Sequence, residues 1–168
     1  MHDCQEMWWK QVQSDMAALD ILRQHGTDPC HQLHYWQMAT EKLGKAYFCK
    51  PGHPPLRTHA TLVFFLRSLG SVQKDRRSQI ASLLRFVSFS GFQSWINAAL
   101  PLAYELERLA PALAQGGPNT EYPWPQDVPV DYPARYQFPI WSQLTKTGSG
   151  RQFTQTIRRL VGQFPEYT

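Results

Sequence analysis

The sequence predicts an all-α protein, an antiparallel bundle of four to six helices, on the basis of three observations. Apolar residues recur every three or four positions through most of the chain, as they do on one face of an α-helix. Glycine or proline separates these segments, and no stretch alternates apolar and polar residues as a half-buried strand would. With 168 residues the chain can bury a sizeable core, so we expect a single helical domain over residues 1–168.

The first two helices have the clearest boundaries. The first is predicted from about Asp3 to Gln24, because apolar side chains follow helical spacing up to a stop at Gly26. Asp28 provides an N-cap and Pro29 suits the first helical position, so the second helix is predicted from Cys30 to about Lys50.

Four further helical segments are predicted in the rest of the chain. The third runs from Leu56 to Gly70, and the fourth extends from a cap at Asp75 to Val87. The fifth covers Phe92 to Leu113, with Pro101 inside its apolar stripe, which requires a kink or a restart at that proline. The last helix is predicted from about Gly150 to Gln163.

Residues 116–140 differ in composition from the rest, with six prolines between positions 118 and 139. Proline at this density favours extended backbone, whereas the aromatic content argues against a solvated linker. We expect this segment, the strap, to be irregular and packed across the helices. The rings predicted to anchor it are Tyr122, Trp124, Tyr132, Tyr136, Phe138 and Trp141.

Composition and charge narrow the class of protein. The net charge is +4 and the isoelectric point is about 9.1, a balance that permits an anionic partner without requiring one. No apolar run is long enough to span a bilayer, and the first residues lack the basic and apolar regions of a signal peptide. Three cysteines without CxxC spacing predict free thiols. We therefore expect a cytoplasmic protein without membrane contact.

Helix two carries the most informative run, Leu33 to Tyr47. One of its faces is apolar and includes small residues that let a neighbouring helix approach, and another is polar, with Glu41 four positions before Lys45. The run resembles the second helix of the HEPN superfamily (higher eukaryotes and prokaryotes nucleotide-binding helical domain), whose members show an aromatic residue, Gln, Ala, Glu-Lys and Lys-Ala at this spacing. The matching residues are Tyr35, Gln37, Ala39, Glu41, Lys42, Lys45 and Ala46.

Two further stretches agree with the HEPN pattern in the same order along the chain. Residues 57–59, Arg-Thr-His, precede an apolar helix, and residues 119–123 resemble the Tyr-Pro turn after the long fourth helix. Glu121 departs from the pattern, because many relatives carry Arg there. The resemblance covers about residues 5–125 and, loosely, the last helix, and it leaves residues 124–145 outside.

The resemblance implies a four- or five-helix bundle, often dimeric, in a family of toxin ribonucleases, partners of minimal nucleotidyltransferases and prokaryotic defence proteins. Its nucleases carry Arg, four to six residues and then His near the start of a late helix. This chain lacks such a pair, because the only histidine after Arg57 is His59. Without that proton shuttle, we expect a non-catalytic subunit that binds a protein partner or a second copy in a toxin–antitoxin or defence assembly, a role compatible with nucleotide or RNA contact.

Two alternative functions fit the same sequence. One is a metal-independent ribonuclease whose site is Arg57 and His59 or is assembled across a dimer. The other is a stand-alone binder of a nucleotide or small molecule with the strap as a lid, which predicts a monomer stabilised by nucleotides. For His59, a shared apolar stripe with Val63 and Leu66 favours a packing role.

Basic residues near the start of helix four and on the last helix are the candidates for phosphate contact. They are Lys74, Arg76, Arg77, Arg151, Arg158 and Arg159. Cys30, His31 and His34 lie together on helix two, but no further ligand at helical spacing completes a metal set. We therefore expect neither a metal nor another cofactor.

Overall fold

The structure is a computed structural model that describes residues 1–53, 56–124 and 131–168. Over these ranges it is all-helical, with nine α-helices, a 3-10 helix at Lys74–Arg76 and no strand, which confirms the prediction of an all-α protein. None of the helices in these ranges has both the length and the apolar character needed to cross a membrane. The helices are α1 Asp3–Gln24, α2 Pro29–Phe48, α3 Leu62–Gly70, α4 Arg77–Leu83, α5 Phe89–Glu107, α6 Pro111–Ala114, α7 Pro139–Lys146, α8 Gly148–Gly162 and α9 Phe164–Tyr167.

Helices α1 and α2 form an antiparallel hairpin. Gly26 has a left-handed backbone with φ +62°, which turns the chain between the two helices. Lys42 Nζ lies 2.7 Å from Asp15 Oδ2, and Lys45 Nζ lies 5.4 Å from the centre of the Trp8 ring. Because the earlier residue of α1 contacts the later residue of α2, the helices run in opposite directions.

Helix α5 contacts α2, α3, α4, α7 and α8 and supplies much of the core. It continues past Pro101, which is exposed on its surface, and ends at Glu107 instead of the predicted Leu113. Pro111 then starts the separate helix α6, in whose first turn the missing N–H of proline costs no hydrogen bond. The predicted fifth helix is therefore two helices.

The two last helices close the core at the carboxyl end of the chain. Phe164 and Tyr167 of α9 are buried, and the Tyr167 hydroxyl donates to the Leu160 carbonyl oxygen at 2.7 Å. Trp9 Nε1 on α1 donates to the Val161 carbonyl oxygen at 2.8 Å. These contacts attach α8 and α9 to the hairpin.

Two other predicted helices have different boundaries. The third starts at Leu62 and not at Leu56, because the preceding residues lie along α2 as an irregular segment. The fourth begins as the 3-10 helix, which contains the predicted cap residue Asp75, and α4 ends at Leu83. Arg85 follows with φ +63°, a left-handed residue that terminates the helix four positions before the helix start at Phe89.

The strap is irregular in its described part, which ends at Phe138 where α7 begins. Residues 125–130, the middle of the predicted strap, lie outside the described residues. Trp124 and Phe138 are buried, and Tyr136 packs between them with ring centroids at 5.3 and 4.9 Å. Two rings expected to anchor the segment are exposed to solvent. They are Tyr122 and Tyr132.

Candidate functional site

The candidate site is a group of polar side chains on α2 and the segment before α3, the Glu41 cluster, which consists of Gln37, Glu41, Lys45 and His59. Glu41 is buried. Its carboxylate accepts hydrogen bonds from Gln37 Nε2 at 2.8 Å and from Lys45 Nζ at 2.5 Å. His59 Nδ1 lies 2.8 Å from the same carboxylate, at hydrogen-bonding distance. Gln37, Glu41 and Lys45 lie four residues apart on one stripe of the helix. Every partner except His59 therefore follows from helix geometry alone.

The backbone before α3 lies close against α2 beside this cluster. The Thr61 hydroxyl donates to the Glu41 carbonyl oxygen at 2.6 Å. At Gly44, one turn further along α2, an added Cβ would lie 2.6 Å from the Thr61 carbonyl oxygen. Only a residue without a side chain permits this approach, so Gly44 sets the distance between the two segments.

Burial and hydrogen bonding act in opposite directions on the Glu41 carboxyl. Burial by itself would raise its pKa, but the hydrogen bonds from Lys45, His59 and Gln37 outweigh that effect and hold the pKa below its ordinary value. The carboxyl of Glu107 on α5 has the opposite balance. Burial raises the pKa of Glu107 despite hydrogen bonds from the Val63 and Leu62 backbone, and the nearby charge of Glu41 adds to the increase. Glu41 is therefore held in its charged form more readily than Glu107.

His59 is the member of the cluster that solvent can reach, with 46% of its side chain exposed. When Nδ1 carries the proton, it donates to Glu41, and Nε2 is then left with a free lone pair. A carboxylate that fixes the tautomer of a histidine in this way is a frequent arrangement in general-base sites. The expected placement of His59 on the apolar stripe with Val63 and Leu66 is wrong, because His59 precedes α3 in an irregular segment.

The residues that carry the HEPN resemblance mostly face the interior. Ala39 and Ala46 are fully buried, as the close approach of a neighbouring helix predicts. Lys42 pairs with Asp15 of α1, and Tyr35 is half-buried against the core. Because the polar stripe is buried as well as the apolar one, α2 is enclosed on more than one face.

Four of the six basic candidates make hydrogen bonds within the protein. Arg158 donates to both oxygens of Asp20, at 2.6 and 3.0 Å, and its guanidinium lies 5.5 Å from the centre of the Trp36 ring. The other three donate to backbone carbonyl oxygens: Arg77 to Val72, Arg151 to Lys146 and Arg159 to Leu84. Lys74 is exposed and Arg76 is half-buried in the 3-10 helix.

The contacts of the basic candidates fall in different places. Those of Arg158 lie on α1 and α2, whereas those of Arg77 and Arg159 lie around the two ends of α4. A common phosphate-binding surface for all six residues stays a prediction.

The part of the chain that the structure describes brings no complete set of metal ligands to Cys30, His31 and His34. Over the described ranges, no group of three or more His, Cys, Asp or Glu residues is placed to hold a metal ion.

The Tyr-Pro turn lies beside α2. His34 Nδ1 lies 3.7 Å from Glu121 Oε1, so the residue that departs from the HEPN pattern faces the helix that carries the pattern.

Glu41 and His59 each stand out in the sequence, but nothing in the sequence indicates that they are in contact. The two are 18 positions apart, and helix periodicity says nothing about an irregular segment. A polar stripe on a helix with an otherwise apolar environment is the one signal that could have suggested a buried partner.

Comparisons with protein-family models, with curated proteins and with solved structures find no significant match for this chain. The similarity to HEPN proteins therefore stays a prediction drawn from the sequence.

Proposed function

We propose that this protein is a non-catalytic HEPN-like subunit that binds a protein partner or a second copy of itself in a prokaryotic toxin–antitoxin or defence assembly. The Glu41 cluster supports the non-catalytic part. His59, the histidine of the candidate Arg57/His59 pair, shares one buried carboxylate with Lys45 and Gln37 and joins α2 to the segment before α3. Such a position explains His59 as a structural contact.

An exposed patch on α3 and α5, the Tyr104 patch, supports the binding part. It consists of Phe64 and Arg67, one turn apart on α3, and Tyr104 on α5. Phe64 is 53% exposed and Tyr104 is 44% exposed. Arg67 joins the helices, because its Nη2 donates to the Tyr104 hydroxyl at 2.8 Å. Aromatic residues and arginine are the types that contribute most to protein interfaces.

The test is purification of the tagged full-length protein from its native host under mild conditions, with mass spectrometry of what stays bound and sedimentation across concentrations. We expect a stoichiometric partner or a dimer that the double variant Phe64→Ser, Tyr104→Ala disrupts. Val87→Ser is the matched control, because Val87 is fully exposed elsewhere on the surface, between α4 and α5. A monomer at all concentrations without a bound protein would overturn the proposal.

A metal-independent ribonuclease is the second candidate, because the Glu41 contact leaves Nε2 of a half-exposed histidine free for proton transfer. Its test is incubation of the purified protein with mixed RNA in the presence of a chelator. Cleavage that His59→Ala and Arg57→Ala abolish, and that the control His53→Ala preserves, would establish the nuclease. Equal, negligible cleavage by all four proteins would support the non-catalytic subunit.

A further inference from the structure

The open end of the α1–α2 hairpin brings two cysteines together. Cys4 lies in the first turn of α1, and Cys49 directly follows the last residue of α2. Trp8 and Lys45, each one turn nearer to the middle of the hairpin, are in contact across it. Continuing the antiparallel register by one turn from this pair places Cys4 opposite Cys49.

Two further observations agree with that register. Cys4 is a direct neighbour of Cys49, because the Cys4 thiol contributes to the raised pKa of Cys49. Pro51, two residues after Cys49, and Cys4 line the same surface cavity of about 430 Å³. The third cysteine, Cys30, is buried at the opposite end of the hairpin.

The two thiols differ in their access to solvent. Cys4 is half-buried beside the cavity, whereas Cys49 is 3% exposed. Burial, together with the neighbouring Cys4 thiol, raises the pKa of Cys49 to about 11. Because a dissolved oxidant reaches Cys4 beside the cavity and not the buried Cys49, Cys4 is the first thiol to react and Cys49 the second.

We propose that Cys4 and Cys49 form a reversible disulfide that closes the open end of the α1–α2 hairpin in response to a low-molecular-mass disulfide oxidant. The Cys4 thiolate attacks one sulfur of the oxidant, forms a mixed disulfide and releases one thiolate. Cys49 then loses its proton to solvent, attacks the Cys4 sulfur and releases the second thiolate. Two protein thiols are oxidised, one oxidant disulfide is reduced to two thiols, and the atoms and electrons balance.

The disulfide links the start of one helix to the end of the next. Lys45 is one turn from Cys49, so the bond also restrains the part of α2 that carries the Glu41 cluster. A cross-link that encloses both helices restricts the unfolded chain and stabilises the folded one.

The experiment uses the full-length protein, reduced and then freed of reductant, with glutathione disulfide as the probe. Free thiols are alkylated, the protein is digested without reduction, and the peptides are identified by mass spectrometry. We expect a peptide that joins Cys4 to Cys49 and a rise in Tm of about 5 °C or more that dithiothreitol reverses. Cys4→Ser and Cys49→Ser should abolish both effects.

Cys30→Ala is the matched control, because it removes an equally buried cysteine and leaves the pair intact. It should form the disulfide at the native rate. Glutathione attached to Cys4 without a cross-link, a cross-link that includes Cys30, or no reaction in the reduced protein would each overturn the proposal.

Discussion

Glu107 of α5 caps the amino terminus of α3, where its Oε1 atom accepts a hydrogen bond from the Val63 backbone N–H at 2.9 Å. Thr61, the residue that precedes α3, makes no side-chain cap, and its hydroxyl donates to the Glu41 carbonyl oxygen. A carboxylate 44 positions away therefore supplies what a local side chain usually provides. The arrangement connects the Glu41 cluster to α5.

Glu107→Gln should change the pH dependence of stability. Burial raises the pKa of Glu107 above its ordinary value of 4.5, so the folded protein binds the proton more tightly than the unfolded chain. The contribution of protonated Glu107 to the free energy of unfolding is fully present below pH 4.5, and it is lost as the pH rises through the pKa of Glu107 in the folded protein. Gln keeps an oxygen acceptor and does not ionise. The Tm of the Glu107→Gln variant minus the Tm of the native protein should therefore increase from pH 4 to pH 7.

Thermal unfolding at several pH values checks this expectation. Glu107→Ala is the companion variant, since it removes the acceptor, leaves the Val63 N–H unpaired and should cost about 1–3 kcal/mol at all these pH values. A difference between Glu107→Gln and the native protein that does not vary with pH would contradict the assignment.

Gly44→Ala should destabilise the protein by about 1–3 kcal/mol, because the new Cβ would meet the Thr61 backbone and force α2 away from the segment before α3. Urea unfolding measures the change. Gly162→Ala is the control, since no atom lies within 4 Å of the added Cβ and the helix-favouring Ala should be neutral or stabilising by up to about 1 kcal/mol. Equal effects of the two substitutions would show that Thr61 does not lie against Gly44.

Tyr167→Ala should cost about 3–5 kcal/mol, although Tyr167 is next to the last residue, because its ring is buried against Phe65 and Phe164. Tyr167→Phe keeps the ring and loses only the hydrogen bond to Leu160, so it should cost about 1 kcal/mol. Denaturant titration of both variants separates the contributions. A small effect of Tyr167→Ala would mean that α9 does not belong to the core.

Arg85→Gly should leave the stability unchanged or raise it by up to about 1 kcal/mol. Arg85 has φ +63° after α4, with its N–H bonded to the Ser82 carbonyl oxygen and the Phe86 N–H bonded to Ala81. Glycine favours this helix-terminating conformation, whereas a Cβ strains it. Arg85→Ala is the comparison, because it removes the same side chain and keeps the strain. A less stable glycine variant than alanine variant would contradict this account.

The two long helices at the start of the chain follow from the sequence by itself. Apolar spacing and the Asp28-Pro29 start predict α1 and α2 to within two residues at each end. The burial of Ala39 and Ala46 follows from the same periodicity. Helix periodicity succeeds here because the intrachain hydrogen bonds and the buried face repeat together over twenty residues or more.

Short helices and helix starts without a local cap were beyond the sequence. Helix α7 has eight residues and begins at Pro139 in a segment whose composition indicates an irregular chain. The start of α3 depends on Glu107, so nothing near Leu62 in the sequence marks it. Over one or two turns, packing contributes more to helix stability than propensity does.

The tertiary structure alone decided which side chains meet at the candidate site. Spacing on α2 brings Glu41 and Lys45 together, but only packing brings His59 to Glu41 and Cys4 to Cys49. Close contact between distant positions depends on how loops and helices share a limited interior, and that is a property of the whole chain. The physical reason is that hydrogen bonds within a helix connect residues four apart. A buried polar side chain also needs a hydrogen-bond partner, and that partner can come from any position in the chain.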